Sequence, residues 1–233
     1  MESLTIGHAV IAVLFLKSNS TFQAADTPEP MRAFRASLDG GVAALSRANE
    51  SLDLVSAERM VEALVSCSGR RLCTGVGKSG LVAARMAASL NSIGLPSQWV
   101  HGAEWVHGDL GAMSASDTVL AVSHSGTTAE LLQLATHIRS RRVQLLAFTG
   151  AADTPLAKLA SVSLACEAAA PSELLGLLPT TSTLVTHHVF NALLSECASR
   201  LTLTSADVLK QHPGGQIGRR ASSEQTESES SDI

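Results

Sequence analysis

The fold class follows first from residues 118–130, TVLAVSHSGTTAE. Its first five residues form a nearly continuous apolar run, which is typical of a strand buried on both faces of a sheet. Glycine and hydroxyl residues follow, and helical spacing begins near Ala129. A buried strand that leads directly into a helix predicts one βα unit of a parallel sheet.

The same alternation of strand and helix recurs along the chain. The strand candidates are Arg71–Gly75, Ser97–Val100, Thr118–Ser123, Val143–Thr149 and Ser161–Cys166. The helical stretches are Met31–Asn49, Ala57–Ser66, Leu81–Ile93, Ala129–Arg141 and Thr183–Ser199, with a short turn at Pro155–Ala160. The pattern predicts an α/β fold in which helices cover both faces of a parallel sheet.

Length and composition indicate one globular domain that does not bind nucleic acid. The chain has 233 residues, of which 45% are hydrophobic, enough for one full-sized core. A net charge of −4 and the absence of tyrosine leave neither a basic footprint nor an obvious platform for stacking bases. The four cysteines lie far apart without a CxxC pair, so we expect free thiols in a reducing compartment.

Both ends of the chain differ from the middle. Residues 1–30 are interpreted as an extension, because the apolar run Leu4–Leu16 is too short to span a bilayer and no basic residue precedes it, as a signal peptide requires. Residues 221–233 are polar, and we expect them to be disordered. The predicted domain is therefore 31–220, in the cytosol and without a membrane partner.

The loop 123–128, SHSGTT, is a candidate anion site. Four hydroxyls and a glycine stand at the predicted start of a helix, where backbone N–H groups and the helix dipole attract phosphate. An ordinary Ser/Thr cap is the alternative, but capping requires a single hydroxyl. Glu130 lies in the first turn of the predicted helix, where the attraction of an acidic side chain to the positive end of the helix dipole is enough to explain its presence.

The loop 75–80, GVGKSG, resembles two nucleotide motifs and fulfils neither. A Walker A loop requires glycine where this chain has Leu72. A dinucleotide site requires an acid about 20 residues beyond the glycines, and residues 98–101 contain none. What remains is a set of glycines that let backbone N–H groups point outward, together with the cation of Lys78 and the hydroxyl of Ser79.

Five motifs together resemble a known family. They are GVGKSG (75–80), HGAEWVHGDLG (101–111), SHSGTTAE (123–130), LPTTST (178–183) and HPGG (212–215). In this order the set is similar to the arabinose-5-phosphate isomerases of the sugar isomerase (SIS) fold. The resemblance implies a three-layer sandwich with a five-stranded parallel sheet flanked by helices. Many family members carry CBS regulatory modules after HPGG, which we do not expect here because a polar tail follows.

The resemblance also implies how a small sugar phosphate is held. The phosphate loop corresponds to Ser123, His124, Ser125 and Thr128, with Ser79 contributing from the first loop. Further hydroxyls at a helix start correspond to Thr180, Thr181 and Ser182.

Four catalytic positions are implied, of which three match. Lys78 stabilises an enediolate or the phosphate, Glu130 serves as base, and His212 shuttles protons, in the family's tetramers from a neighbouring subunit. The fourth position, a glutamate in the family, is Pro171 in this chain. Glu173 lies two residues downstream and is the candidate replacement.

The histidines near residue 100 have spacing that suggests a metal site. His101, Glu104 and His107 are each separated by two residues, but the segment is predicted to be a loop, so this spacing fixes no ligand geometry. The resemblance implies that zinc can bind at His101 and that His107 contacts substrate. No cofactor is expected to be required. The pair His187 and His188 lies in an apolar stretch and is interpreted as packed.

The implied reaction interconverts D-ribulose 5-phosphate and D-arabinose 5-phosphate through an enediol(ate). Two alternatives remain: an isomerase of another ketose phosphate, which the change at Pro171 favours, and a non-catalytic sugar-phosphate regulator. The joint presence of Lys78, Glu130 and His212 favours an enzyme, because a sensor needs only the phosphate loop.

Overall fold

The computed structural model describes residues 31–168, 173–217 and 219. The predicted extension 1–30, the polar tail 221–233 and Pro171 lie outside the described residues. The chain separates into two units between Ser37 and Leu38. The first helix begins in the first unit, and the sheet and all other described elements belong to the second.

The strands are β1 (Arg71–Gly75), β2 (Ser97–His101), β3 (Thr118–Ser123), β4 (Gln144–Thr149) and β5 (Val162–Ala165). The described α-helices are α1 (Arg32–Ser51), α2 (Leu54–Ser66), α3 (Gly77–Ser92), α4 (Ala129–Ser140), α5 (Pro155–Leu159), α6 (Thr181–Arg200) and α7 (Ser205–Lys210). Two short 3-10 helices, Glu104–His107 and Asp109–Ala112, lie between β2 and β3.

All five strands are parallel, in the order β2-β1-β3-β4-β5. The predicted five-stranded parallel sheet is therefore confirmed. At the carboxyl edge, Gly75 of β1 pairs with His101 on one side and with Val122 on the other. The chain leaves β1 toward β2 and leaves β3 in the opposite direction toward β4, so the loops after β1 and β3 flank the point where the strand order reverses. Open α/β sheets bind their ligands in this crevice.

Alternate side chains of β3 build two separate cores, one on each face of the sheet. Leu120 and Val122 pack with the apolar faces of α1, α2, α3 and α6. Val119 and Ala121 pack with α4 and α5. All six residues of β3 are buried, which explains why its sequence is continuously apolar rather than alternating. The three-layer arrangement follows from these two cores.

A buried arginine joins the end of α2 to the start of β1. The Arg71 side chain, 3% exposed, donates from Nε and Nη2 to the carbonyl oxygen of Leu64 at 2.9 and 2.6 Å and from Nη2 to that of Cys67 at 2.8 Å. These carbonyls belong to the last turn of α2 and its cap, which lack partners within the helix. The guanidinium thus supplies hydrogen-bond donors to the unpaired carbonyls at the carboxyl end of α2, and its positive charge complements the negative end of the helix dipole.

Several helices differ from the sequence-based expectation. Helix α2 starts at Leu54 rather than Ala57, and α7 was not predicted. Helix α3 starts at Gly77 rather than Leu81, although GKSG has weak helical propensity. The segment predicted as a short turn is helix α5, capped by the Thr154 hydroxyl and carrying Pro155 in its first turn. Helix α6 starts at Thr181 rather than Thr183.

The four cysteines are free thiols. Burial raises the pKa of Cys73 and of Cys166 to about 12 and that of Cys197 to about 11. Cys67 is partly exposed. Among the described residues, no helix combines the length and the apolar character needed to cross a membrane.

Candidate active site

The loop between β3 and α4 is closed by its own hydroxyls. Ser123 is 2% exposed, and its Oγ lies 2.8 Å from Oγ1 of Thr128. The same oxygen accepts a hydrogen bond from the Gly126 N–H at 3.1 Å. The Ser125 hydroxyl accepts from both the N–H and the hydroxyl of Thr127. These bonds hold the loop in a compact turn.

The start of α4 carries no side-chain cap. Thr128 occupies the N-cap position, but its hydroxyl is directed to Ser123 and accepts nothing from the helix. The hydroxyls of this loop therefore do not serve the ordinary capping function that was the alternative explanation. Uncapped amides and the positive end of the helix dipole remain available to an anion. Glu130 is exposed in the first turn of this helix.

Two close approaches fix the path of this loop. Gly126 has a φ of +62°, and a β-carbon there would lie 2.3 Å from the Thr154 hydroxyl oxygen. The His124 ring lies against Gly150, whose N–H donates to the His124 carbonyl at 2.7 Å. Nδ1 of His124 is buried without a hydrogen-bond partner in the described part of the chain. The sequence-based prediction missed Gly150 and Thr154, although Thr-Pro at 154–155 is a recognisable helix-start signal.

The loop after β1 turns tightly because two glycines meet. A β-carbon on Gly75 would lie 2.9 Å from the backbone of Gly80, so only glycine permits this contact. Helix α3 therefore begins immediately, and its first turn presents the exposed Lys78 and the partly exposed Ser79. Because β1 and β3 are neighbours in the sheet, this turn and the loop 123–128 leave from adjacent strand ends. The structure thus brings the two predicted loops to one edge.

The segment 101–112 is anchored by Trp105. This side chain is 1% exposed, and its Nε1–H donates to the Thr74 hydroxyl of β1 at 2.9 Å. His107, at the end of the first 3-10 helix, is exposed. Nδ1 of His101 accepts a hydrogen bond from the Ala103 N–H at 3.3 Å.

The described residues do not fit a metal centre. Across 31–168, 173–217 and 219, no three His, Cys, Asp or Glu side chains come close enough to hold a metal ion. Nε2 of His101 takes no part in the hydrogen bond with Ala103, but His101 belongs to no group of three potential metal ligands among the described residues. Zinc at His101 stays a prediction that this geometry does not support, and no step below uses it.

Glu173 binds the start of α6. Its Oε2 accepts from the N–H groups of Thr180 and Thr181 at 2.6 and 2.9 Å and from the Thr180 hydroxyl at 3.0 Å. Its Oε1 accepts from the Ser182 N–H at 2.9 Å. Partial burial raises the pKa of Glu173, but the hydrogen bonds from Ser182 and Thr180 outweigh that effect and lower it to about 2.

The residues predicted as further substrate ligands are therefore engaged by a carboxylate of the same chain. Thr180 is exposed, whereas Thr181 and Ser182 are 7% and 2% exposed. Their role toward substrate, like that of Glu173 in catalysis, stays a prediction.

His212 follows helix α7. Its Nδ1 lies 2.8 Å from the carbonyl oxygen of Val208. A carbonyl can only accept, so Nδ1 carries the proton and Nε2 is the nitrogen left for chemistry. No residue of α7 is buried, and no described hydrogen bond joins His212 to the loops after β1 and β3.

The SIS domain family model matches residues 64–196, more than half of the chain. The chain belongs to the SIS domain family. The match runs from the end of α2 into α6 and so includes both loops of the candidate site.

This SIS domain is similar to curated and solved proteins. It is 42% identical over 159 residues to arabinose 5-phosphate isomerase KdsD of Pseudomonas aeruginosa, covering 68% of this chain and 49% of that protein. It is 34% identical over 193 residues to arabinose 5-phosphate isomerase KpsF of Escherichia coli, covering 83% and 59%. The chain thus spans about half the length of the curated relatives it matches. A structure of an Escherichia coli CFT073 protein in complex with arabinose 5-phosphate superposes with a TM-score of 0.75 at 31% identity, covering 81% of this chain and all of that one.

Proposed function

We propose that this SIS domain is an aldose–ketose isomerase that interconverts D-ribulose 5-phosphate and D-arabinose 5-phosphate. The observation that carries the proposal is the uncapped start of α4, enclosed by the hydroxyls of Ser123 and Thr128. Backbone N–H groups and hydroxyls are available there to bind a phosphomonoester. This place lies where the strand order reverses, beside the first turn of α3. The relatives named as arabinose 5-phosphate isomerases support the choice of sugar.

The chemistry moves one proton between C1 and C2 of the open-chain sugar phosphate. Starting from the aldose, the Glu130 carboxylate takes the C2 proton, and the electron pair forms the C1–C2 double bond of an enediolate as the C1 carbonyl oxygen gains negative charge. Lys78 stabilises that charge. His212, through Nε2, moves the proton from O2 to O1. Return of a proton to C1 gives the ketose, so atoms and charge balance without a redox cofactor.

An isomerase of another ketose phosphate is the second candidate. The fourth acid of the resembled family is replaced by Pro171, and the neighbouring Glu173 is bound to the start of α6. A site with a different set of acids near the sugar would select a different sugar. The phosphate loop serves either substrate equally.

We also propose that the protein works as a homotetramer in the cytosol. Leu38, Val42, Leu81 and Leu184 are large apolar side chains exposed on α1, α3 and α6, which suits contact with another subunit. Helix α7, which directly precedes His212, has no buried residue, so this part of the chain is open to contact with another subunit. The free thiols suit a reducing compartment.

The direct test incubates purified protein with ribulose 5-phosphate and measures arabinose 5-phosphate. Turnover of a different ketose phosphate in a sugar-phosphate panel, without arabinose 5-phosphate, would favour the second candidate. Binding without exchange of the C1 or C2 proton into heavy water would indicate a non-catalytic regulator. For the tetramer, mixing inactive E130Q and H212N subunits should restore activity if His212 serves a neighbouring site, and light scattering gives the mass.

A further inference from the structure

Helix α6 carries a built-in anion at its start. The Glu173 carboxylate accepts from three consecutive backbone N–H groups, those of Thr180, Thr181 and Ser182, at 2.6 to 2.9 Å. The Thr180 hydroxyl adds a fourth donor at 3.0 Å. Both carboxylate oxygens are used, as a phosphate would use its oxygens at a helix N-terminus.

The position of the carboxylate is fixed by its own loop. The Leu174 N–H donates to the Thr180 hydroxyl at 3.2 Å, and the Leu178 N–H donates to the Leu174 carbonyl at 3.0 Å. Leu175 and Gly176 complete the turn with φ values of +56° and +66°. The chain thus places a left-handed residue other than glycine in the turn that brings Glu173 back to α6.

The starts of α4 and α6 lie at the same edge of the sheet. Helix α4 follows β3 directly, so its start is at the carboxyl edge. Cys166, which follows the last residue of β5 at that edge, is hydrogen-bonded to Thr186 in the second turn of α6. Helix α3 also starts at this edge, directly after β1. The dipoles of α3, α4 and α6 therefore favour an anion on this side, but α3 and α4 start without a side-chain cap, whereas α6 has Glu173.

We propose that Glu173 is a positioning residue that occupies the start of α6 in place of the substrate phosphate, so that a phosphomonoester binds productively only at the loop 123–128. A negative charge at α6 repels a second anion and leaves the uncapped start of α4, beside that of α3, as the phosphate anchor. The identity of the phosphorylated substrate rests on the proposed function, but the occupation of α6 by the carboxylate does not.

The same geometry argues against Glu173 as the catalytic base. A general base works best with a pKa near the operating pH, and the pKa of Glu173 is lowered to about 2. Protonation would also weaken the hydrogen bonds from the N–H groups of Thr180 and Ser182. An N–H group cannot accept a hydrogen bond from the new carboxyl hydroxyl, so nothing replaces what is lost. The carboxylate is stabilised where it is, and it is a poor proton acceptor.

The first experiment measures orthophosphate binding by equilibrium dialysis. E173A should bind one more phosphate per chain than the wild type, because the vacated amides include those of the buried Thr181 and Ser182. D53A is the matched control: Asp53 caps α2 with a hydrogen bond to the Val55 N–H, but at an exposed helix start. It should be destabilised by loss of a cap without gaining a phosphate. Equal stoichiometry in E173A and wild type would overturn the proposal.

The second experiment measures turnover of the sugar phosphate accepted in the panel. In E173A we expect kcat and KM to fall together by about three- to tenfold, with kcat/KM retained, because substrate phosphate also binds unproductively at α6. Formate, which mimics the lost carboxylate, should restore both constants. A cap that only stabilises the fold would give neither result.

E173Q separates positioning from catalysis and also serves if E173A does not fold. Its amide oxygen still accepts from α6, so we expect turnover within about tenfold of wild type and an unchanged acid limb of the pH–rate profile. A fall in kcat of about a thousandfold with loss of that limb would identify Glu173 as the catalytic acid–base and overturn the proposal. If the wild type turns over no sugar phosphate, the proposed function fails, and the dialysis result still decides on Glu173.

Discussion

The hydroxyls of Ser123 and Thr128 are joined by a hydrogen bond of 2.8 Å that spans the turn from β3 to α4. One of the two residues ends a buried strand and the other stands at the N-cap of an exposed helix turn. Their contact ties the loop 123–128 to the rigid sheet. The geometry of the loop is thus set before any ligand arrives, which reduces the entropy lost on binding.

Replacing Thr128 by valine should weaken binding of the phosphorylated substrate. The variant keeps the side-chain shape and removes one hydrogen bond to Ser123, worth about 1 kcal/mol, so we expect KM to rise about fivefold. Initial rates over a substrate series measure this. T136V is the control on the same helix, because Thr136 is exposed and its hydroxyl donates only to the Leu132 carbonyl. An unchanged KM in T128V would show that the Ser123–Thr128 contact does not shape the site.

Replacing Glu130 by glutamine should remove proton transfer and leave phosphate binding. A positioned general base contributes about 10²- to 10⁴-fold, and we expect kcat to fall within that range. Glu130 is exposed beside the loop rather than hydrogen-bonded within it, so orthophosphate affinity should change by less than about twofold. Dialysis and turnover measured on the same preparation test both parts. Full activity in E130Q would mean that the base lies elsewhere.

Replacing Gly126 by alanine should distort the loop. Its φ of +62° is unfavourable for alanine, and the new β-carbon would lie 2.3 Å from the Thr154 hydroxyl oxygen. We expect a loss of about 1 to 3 kcal/mol in unfolding free energy and strongly weakened phosphate binding. Gly40 in α1 is the control, since a β-carbon there would meet nothing within 4 Å, and G40A should be neutral or stabilising by up to about 1 kcal/mol. Urea denaturation compares the two.

Replacing Arg71 by methionine should be among the most destabilising changes of a polar residue. The variant leaves the carbonyls of Leu64 and Cys67 without their charged donor in a buried position. We expect a cost of about 3 kcal/mol. Arg200 is the contrast: it pairs with Glu58, Glu62 and Glu196 at the surface, and R200Q should cost less than about 1 kcal/mol. Equal costs in the two variants would show that Arg71 is not needed at the end of α2.

Acid should weaken the fold through Glu173. The pKa of this carboxyl is lower in the folded chain, about 2, than its ordinary value of 4.5. Because the pKa is lower in the folded chain, the ionised carboxylate contributes its full stabilisation at pH values above 4.5, the pKa in the unfolded chain. This stabilisation is lost as the pH falls from about 4.5 toward 2. E173Q lacks this titration, so the difference in unfolding free energy between wild type and E173Q should shrink over that interval. Parallel pH curves for the two proteins would contradict this assignment.

Local sequence was sufficient for the sheet and for one loop of the site. The five strand positions follow from short apolar runs bounded by turn residues, and the run Thr118–Ser123 matches β3 without error. The loop 123–128 is identifiable because its glycine and hydroxyls lie next to each other in sequence, immediately before the helix. Features that the composition and order of one contiguous run encode can be predicted in this way.

Features that depend on contacts in the folded chain were not accessible. The early start of α3 depends on Gly75 meeting Gly80 across the turn, which local propensity opposes. The start of α6 depends on a cap from Glu173, seven residues before Thr180, where no capping motif places it. The anchoring of segment 101–112 depends on Trp105 reaching Thr74 on another strand. In each case tertiary packing decides what propensity leaves open.

The burial of three of the four thiols makes the protein a convenient subject for selective labelling. Cys73, Cys166 and Cys197 are buried with raised pKa values, so at neutral pH they react slowly with maleimides. Cys67 is partly exposed at the end of α2, near the amino edge of the sheet and on the opposite side from the phosphate loop. A single fluorophore or spin label attached there would leave the loop 123–128 untouched.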